Sequence, residues 1–305
     1  MPMLEGVFVP HVTPFDGKEE IDEPALRELV NYVINAGLNG LVSLGSNGEF
    51  PYLSFGEKLK VVETVLNEAN GRVPVVAGAT ENSTKETIRL GKALLDLGAD
   101  ALLIGPPYYF KPSSEELFAH YSILAERLDG EILLYNVPKF TGINIPIDVI
   151  ERLANEHSNI IGIKDSGGSM GRITELVRRL GDRFTVLAGT ADVMYPSWML
   201  GAPGAVVAVA NVAPELCAEL WGAFREGNHR KARELQLRVN LINEVVVKRY
   251  NQISAIKSAM AMRGLKAGKP RLPSLPLDEK ALGDIERALR EAGLSETPGS
   301  DEVKS

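Results

Sequence analysis

Ile160-Ile161-Gly162-Ile163-Lys164-Asp165-Ser166 is a run of apolar, mostly β-branched residues that ends abruptly in an amine, a carboxylate and a hydroxyl. A run that is apolar on successive positions is apolar on both faces, the pattern of a short strand buried inside a parallel sheet. Similar runs lie on either side of it. Val7–Val12, Gly40–Leu44, Val73–Gly78, Ala101–Gly105, Ile132–Asn136, Thr185–Ala188 and Ala205–Ala210 bring the number of strand candidates to eight. They recur at roughly 20 to 35 residues, the length of one strand and the helix that follows it. Eight such units with interior strands apolar throughout predict an α/β fold, a closed (β/α)8 TIM barrel. An open doubly wound sheet is the runner-up. It favours a Gly-x-Gly-x-x-Gly turn after the first strand, where this chain reads His11-Val12-Thr13-Pro14-Phe15-Asp16.

Helical periodicity fills the intervals. Glu23 to Ala36 follows Asp22 as an N-cap, and Glu81 to Leu97 stops at Gly98, a natural C′ residue. Ser54 with Glu57 and Ser113 with Glu116 have the spacing of capping boxes. Beyond Gly227 the strand pattern ceases, and His229–Lys248, Gln252–Arg263 and Asp278–Ala292 read as helices around a break at Pro270, Pro273 and Pro276. The apolar stripe Leu235, Val239, Ile242, Val245 and Val246 must pack on the barrel or on a neighbouring subunit. The expected organisation is a barrel over 1–227 that carries the active site, a helical extension over 228–295 and a disordered tail over 296–305. Chain ends of this kind fray.

Composition narrows the functional classes. At 305 residues, 45% hydrophobic and 24% charged, the chain has ordinary globular composition and room for a large core. A net charge of −7 without a basic cluster argues against nucleic acid and anionic membrane as partners. The start MPMLEGVF lacks the zones of a signal peptide, and no stretch reaches the length of a membrane span, so a cytoplasmic enzyme is expected. Cys217 is the sole cysteine and reads as a small core residue, which rules out an intrachain disulfide and a thiolate metal site. His11, His120, His157 and His229 are scattered without metal-ligand spacing, so neither a metal nor another cofactor is expected.

In a barrel of this kind the C-terminal ends of the strands share one mouth. Strand two runs into Gly45-Ser46-Asn47-Gly48-Glu49, strand four into Pro106-Pro107-Tyr108-Tyr109 and strand five into Tyr135-Asn136-Val137-Pro138. Strand six ends at Lys164-Asp165-Ser166 and strand seven at Gly189-Thr190. Each feature alone has an ordinary explanation: a lysine that snorkels from a strand end, a surface turn, a core tyrosine with a satisfied hydroxyl. Their convergence suits carbonyl chemistry. An amine against a desolvating wall loses part of its preference for the charged form, and a neutral amine attacks a carbonyl to form a Schiff base. A nearby phenol moves protons during carbinolamine formation and carbon–carbon cleavage. The Gly-flanked turn at 45–48 can aim N–H groups at a carboxylate.

These motifs, Thr13-Pro14-Phe15, GSNGE at 45–49, Pro107-Tyr108-Tyr109, YNVPKFTG at 135–142, GIKDS at 162–166 and the Gly189 turn, resemble those of the dihydrodipicolinate synthase / N-acetylneuraminate lyase superfamily of class I aldolases. The resemblance runs from Gly6 to about Leu294. It implies a barrel with a C-terminal helical extension and a homotetramer built as a dimer of dimers. It also implies that Lys164 is the Schiff-base lysine and Tyr135 the proton donor and acceptor beside it. Ser46 takes the place of the relay Thr or Ser, and Tyr109 that of the relay tyrosine reaching a neighbouring subunit's site. Asn47 and the turn amides would hold a pyruvate carboxylate, and Val206 would contact pyruvate through its backbone. Ser166 and Gly189 complete the implied substrate-binding set, with Ser166 able to bond a distal hydroxyl or carboxylate.

The chain departs from the family in two places. Its turn reads GSNGE where the family usually has GTTGE, and Phe140 stands where dihydrodipicolinate synthases carry an arginine that grips the aspartate-semialdehyde carboxylate. An apolar ring does not replace a bidentate guanidinium. GSNGEFPYL, IGIKDSGG and LAGTAD resemble most the 4-hydroxy-2-oxoglutarate aldolases and 2-keto-3-deoxy sugar-acid aldolases. The expected function is therefore a 2-oxo-acid aldolase that releases or consumes pyruvate or glyoxylate, its partners being small 2-oxo acids and aldehydes. The alternative within the class is a synthase condensing pyruvate with aspartate semialdehyde. Outside it stands a non-catalytic 2-oxo-acid sensor, which the joint presence of Lys164, Tyr135, Tyr109 and Ser46 disfavours.

Overall fold

A computed structural model describes residues 4–294 of the chain. Eight parallel strands close into a barrel in sequence order: β1 (Gly6–Pro10), β2 (Gly40–Ser43), β3 (Val75–Gly78), β4 (Ala101–Ile104), β5 (Ile132–Asn136), β6 (Ile160–Asp165), β7 (Thr185–Ala188) and β8 (Gly204–Val206). β8 pairs back onto β1 through Gly6 and Gly204, which closes the ring. There the two strands approach so closely that a Cβ on Gly204 would lie 2.3 Å from the Gly6 carbonyl oxygen. Each strand is followed by a helix, from Glu23–Asn35 after β1 to Pro214–Arg225 after β8.

The apolar residues divide as the strand pattern requires. One set, including Phe8, Val42, Val76, Leu103, Leu133 and Leu187, fills the barrel interior. The other, including Val9, Leu41, Val75, Leu102, Leu134 and Val186, packs outward against the helices. Successive strand residues thus serve opposite cores, which is why the strands read as unbroken apolar runs.

The expected boundaries shift where the backbone loses a partner. β1 stops at Pro10 rather than Val12, because the Val12 N–H donates to the Asn211 side chain (3.1 Å) instead of the ladder. β3 begins at Val75, after Pro74, which has no N–H to donate. β8 ends at Val206, and Ala208–Asn211 winds into a 3-10 turn. The helix expected from Glu81 starts at Thr84, where the Ser83 hydroxyl caps the Glu86 N–H. Both capping boxes, at Ser54/Glu57 and Ser113/Glu116, are present.

The C-terminal helices span His229–Asn243, Gln252–Met262 and Glu279–Glu291. The expected helix to Lys248 is interrupted, since Glu244–Arg249 adopts a π-helical turn. Leu235, Val239, Ile242, Val245 and Val246 are buried within this one chain, in the same apolar cluster as the barrel helices. Arg263, almost wholly buried, ties the extension to the barrel through Glu215 (2.6 Å) and the Tyr32 hydroxyl (3.0 Å). The tail expected to be disordered lies outside the described residues. No described helix is long and apolar enough to cross a membrane.

Candidate active site

The parallel register places Tyr135 of β5 directly beside Lys164 of β6. Both are almost fully buried at the mouth of the barrel, and the Lys164 Nζ sits 4.2 Å from the centre of the Tyr135 ring. No ion pair or hydrogen bond engages that amine among the described residues. The Tyr135 hydroxyl reaches the Ser46 hydroxyl at 3.3 Å. An amine, a phenol and an alcohol therefore lie in series across β6, β5 and the turn after β2.

That turn is held from several sides. Ser46–Gly48 forms one 3-10 turn, and Glu49 closes it in a left-handed conformation (φ 57°). The Thr13 hydroxyl donates to the Gly48 carbonyl (2.8 Å), which explains the Thr of the Thr-Pro-Phe motif. Glu49 is fully buried and pairs with Lys257 (2.6 Å), while the Arg271 N–H donates to its other oxygen (2.8 Å). Burial pulls the Lys257 ammonium below its ordinary value, opposed by the Glu49 charge. The Lys257 and Arg271 cations also lie 4.5 and 4.2 Å from the ring of Phe15. His11, buried beneath the turn, meets the Ser43 hydroxyl (2.7 Å) and the Val12 carbonyl (3.0 Å), and burial lowers its pKa. A carbonyl only accepts, so His11 carries its proton on Nδ1.

On the other side, Gly189 and Ser166 meet in close contact. The Gly189 N–H donates to the Asp165 carbonyl (2.7 Å) and the Ser166 hydroxyl to the Gly189 carbonyl (3.2 Å). A Cβ at Gly189 would fall 2.1 Å from the Ser166 hydroxyl oxygen, so only glycine fits. Asp165 faces away from the mouth, bound by Arg172 (2.6 Å), Asn136 (2.9 Å) and the Gly167 N–H (2.9 Å).

Two connected spaces open above these groups. A narrow cavity of about 60 Å³ reaches Lys164 and is bordered by Ser166, Gly189, Val206 and Asn47. A wider cleft of about 250 Å³ opens outward between Phe50, Tyr52, Tyr108 and Phe140. Ser46 and Tyr135 border both. Tyr109 is not brought into this cluster by its own chain: its ring is 78% exposed and stacks edge-on against Phe110 (5.0 Å). Its neighbour Tyr108 lines the cleft instead, and partial burial raises its pKa.

Sequence reading missed the part that the extension plays. Gln252 borders both spaces and donates to the Asn47 side-chain oxygen (2.7 Å), while Asn47 donates to the Pro10 carbonyl (3.2 Å). The same glutamine accepts from Lys139 (3.0 Å), whose Nζ also donates to the Val247 carbonyl (2.7 Å). The signal was the run Tyr250-Asn251-Gln252, which stands alone in sequence and acquires a neighbour only when the extension folds back. No group of three or more His, Cys, Asp or Glu side chains among the described residues is placed to hold a metal ion.

The dihydrodipicolinate synthetase family model matches residues 3–292. The chain belongs to this family. It is 39% identical to the 4-hydroxy-tetrahydrodipicolinate synthase of Pelobacter propionicus, over 96% of this chain and 100% of that one. The dihydrodipicolinate synthase of Thermotoga maritima superposes with a TM-score of 0.92 at 34% identity, covering 96% of this chain and 100% of the other. YagE, a prophage protein of E. coli K12 solved in complex with pyruvate, gives 0.92 at 30% identity and the same coverage. Members of the dihydrodipicolinate synthetase family are aldolase-type lyases, and this chain is an enzyme of that type.

Proposed function

We propose that the enzyme works through an imine between Lys164 and a 2-oxo acid, pyruvate in the first instance. The observation that carries this reading is the unpartnered, buried Lys164 amine beside the Tyr135 phenol. The amine adds to the C2 carbonyl, and the carbinolamine loses water to give the imine. Loss of a proton from C3 gives an enamine, whose C3 attacks an aldehyde carbonyl while the aldehyde oxygen takes up a proton. Water then hydrolyses the imine and frees the lysine. The lyase direction reverses these steps. Tyr135 and Ser46 move the protons, since their hydroxyls are already in contact.

The 2-oxo-acid carboxylate sits on the turn at 45–48. The Asn47 side chain is engaged at both ends, so its contribution is a backbone N–H. The first N–H groups of a helical turn lack internal acceptors and suit an anion. Val206, Gly189 and Ser166 form the wall opposite. The complex of YagE with pyruvate supports this choice of acid.

The names of the relatives favour aspartate semialdehyde as the aldehyde, hence 4-hydroxy-tetrahydrodipicolinate synthase activity, over a 4-hydroxy-2-oxoglutarate substrate. Phe140 supports the second reading. It stands half exposed at the cleft, where a guanidinium would otherwise grip that aldehyde's carboxylate, and thus favours a 4-hydroxy-2-oxoglutarate or 2-keto-3-deoxy-sugar-acid type substrate. The exposed Tyr109–Phe110 pair supports an assembly in which Tyr109 completes a neighbouring chain's relay, in a homotetramer built from dimers.

Incubation with pyruvate, borohydride reduction and peptide mass spectrometry test the imine. A pyruvyl adduct on Lys164 is expected; none in folded protein overturns the mechanism. Turnover of aspartate semialdehyde against 4-hydroxy-2-oxoglutarate and 2-keto-3-deoxygluconate then decides between the two readings.

A further inference from the structure

The inner cavity is lined by two lysines, Lys139 and Lys164, and by no aspartate or glutamate. Lys164 is spent on the imine. Lys139 projects from the short helix Pro138–Thr141 that follows β5, and its ammonium is held by neutral acceptors only, the Val247 carbonyl and the Gln252 amide. An ammonium has three donors, so one N–H remains for a ligand. No carboxylate pairs with Lys139 among the described residues. Partial desolvation lowers its pKa. A cation in that condition gains more from an incoming anion than a fully hydrated one does.

We propose that Lys139, clamped by Gln252 and Val247 of the extension, binds a second carboxylate at the aldehyde-derived end of the substrate. This deepens the imine reading and rests on it. It places the missing cation one position before Phe140 and on the inner side of the mouth. The substrate class is then a 2-oxo acid with a distal carboxylate, rather than a polyhydroxy acid with a neutral end. Gln252 is the positioning residue, because it fixes the ammonium against the turn that carries Ser46 and Asn47.

The test uses the full chain and imine trapping at Lys164 by three acids: pyruvate, 2-oxoglutarate and 2-oxopentanoate. The last two have equal chain length and differ in the distal carboxylate. The wild type is expected to be half-trapped at a lower concentration of 2-oxoglutarate than of 2-oxopentanoate. Lys139→Met should raise the 2-oxoglutarate value by about tenfold more than it raises the 2-oxopentanoate value, the scale of one charge-assisted hydrogen bond. Lys139→Arg, which keeps the charge, should retain the preference and serves also if the Met variant does not fold. Failure of the wild type to trap pyruvate sinks the imine reading itself. Pyruvate trapping without a 2-oxoglutarate preference, or equal shifts for both five-carbon acids, sinks only the assignment of Lys139. So does a folded Arg variant that has lost the preference.

Discussion

Tyr135 and Lys164 are register partners on adjacent parallel strands, the amine 4.2 Å from the ring centre. Their spacing is therefore set by the ladder between β5 and β6 and not by a loop. A site built on paired strands holds its geometry better than one built on connections.

Lys164→Ala removes the amine that the proposed imine requires. Turnover should fall by at least about 10³-fold and the borohydride adduct should vanish, since the other amine of the cavity, Lys139, is held by Val247 and Gln252 away from the Tyr135 ring. Retained turnover on a steady-state assay contradicts the mechanism. Retained pyruvate binding by calorimetry does not, because the carboxylate site proposed at the turn 45–48 does not involve the lysine.

Tyr135→Phe keeps the ring against Lys164 and deletes the hydroxyl that meets Ser46. The rate constant for turnover should drop by about 10² to 10⁴, the range for loss of a general acid–base group. The thermal midpoint should change little. A KM effect alone would assign Tyr135 to binding.

Phe140→Arg puts a guanidinium at the cleft. If the second carboxylate lacks a partner at that position, kcat/KM for aspartate semialdehyde should rise by about tenfold or more. An unchanged ratio of aldehydes removes position 140 as the discriminator.

Gly189→Ala forces a Cβ to within 2.1 Å of the Ser166 hydroxyl oxygen and 2.8 Å of the Asp165 backbone. The loss should be about 1 to 3 kcal/mol in chemical unfolding, as for overpacking elsewhere. Activity should fall with it, because Ser166 borders the cavity that holds Lys164.

Stability should also depend on pH through His120, whose pKa burial pulls down to about 4 from its ordinary 6.5. Its Nδ1 meets the Thr84 hydroxyl (2.9 Å), and its Nε2 is buried without a partner. Between these values the unfolded chain binds the proton and the folded chain does not. The contribution is therefore complete above pH 6.5 and is lost as pH falls toward 4, on the order of 3 kcal/mol in total. His120→Asn should flatten that part of the profile in urea titrations. A profile identical to wild type would acquit His120.

The barrel was legible because each strand serves two cores at once and so reads as an apolar run, with polar residues only where it reaches the mouth. Lys164, Tyr135 and Ser46 could be brought together from that rule alone. Strand ends were less legible, since Val12 leaves the ladder for the Asn211 side chain, about 200 positions away. The direction of Lys139 and the roles of Gln252, Lys257 and Arg271 were not legible. They depend on where the extension lands, and no local pattern encodes a contact such as that between Asn47 and Gln252. Tyr109 was placed at the mouth by its strand, yet its ring points to solvent in the single chain.

The burial of Glu49 between Lys257 and Arg271 has a consequence for synthesis on the ribosome. All eight strands are translated by residue 206, but Lys257, the cation that pairs with Glu49, and Arg271, whose backbone N–H donates to it, are translated later. Until then the Glu49 carboxylate lacks the ammonium that pairs with it. Nascent chains stalled before residue 257 therefore lack the ion pair behind the Ser46–Glu49 turn and should not be labelled by pyruvate and borohydride.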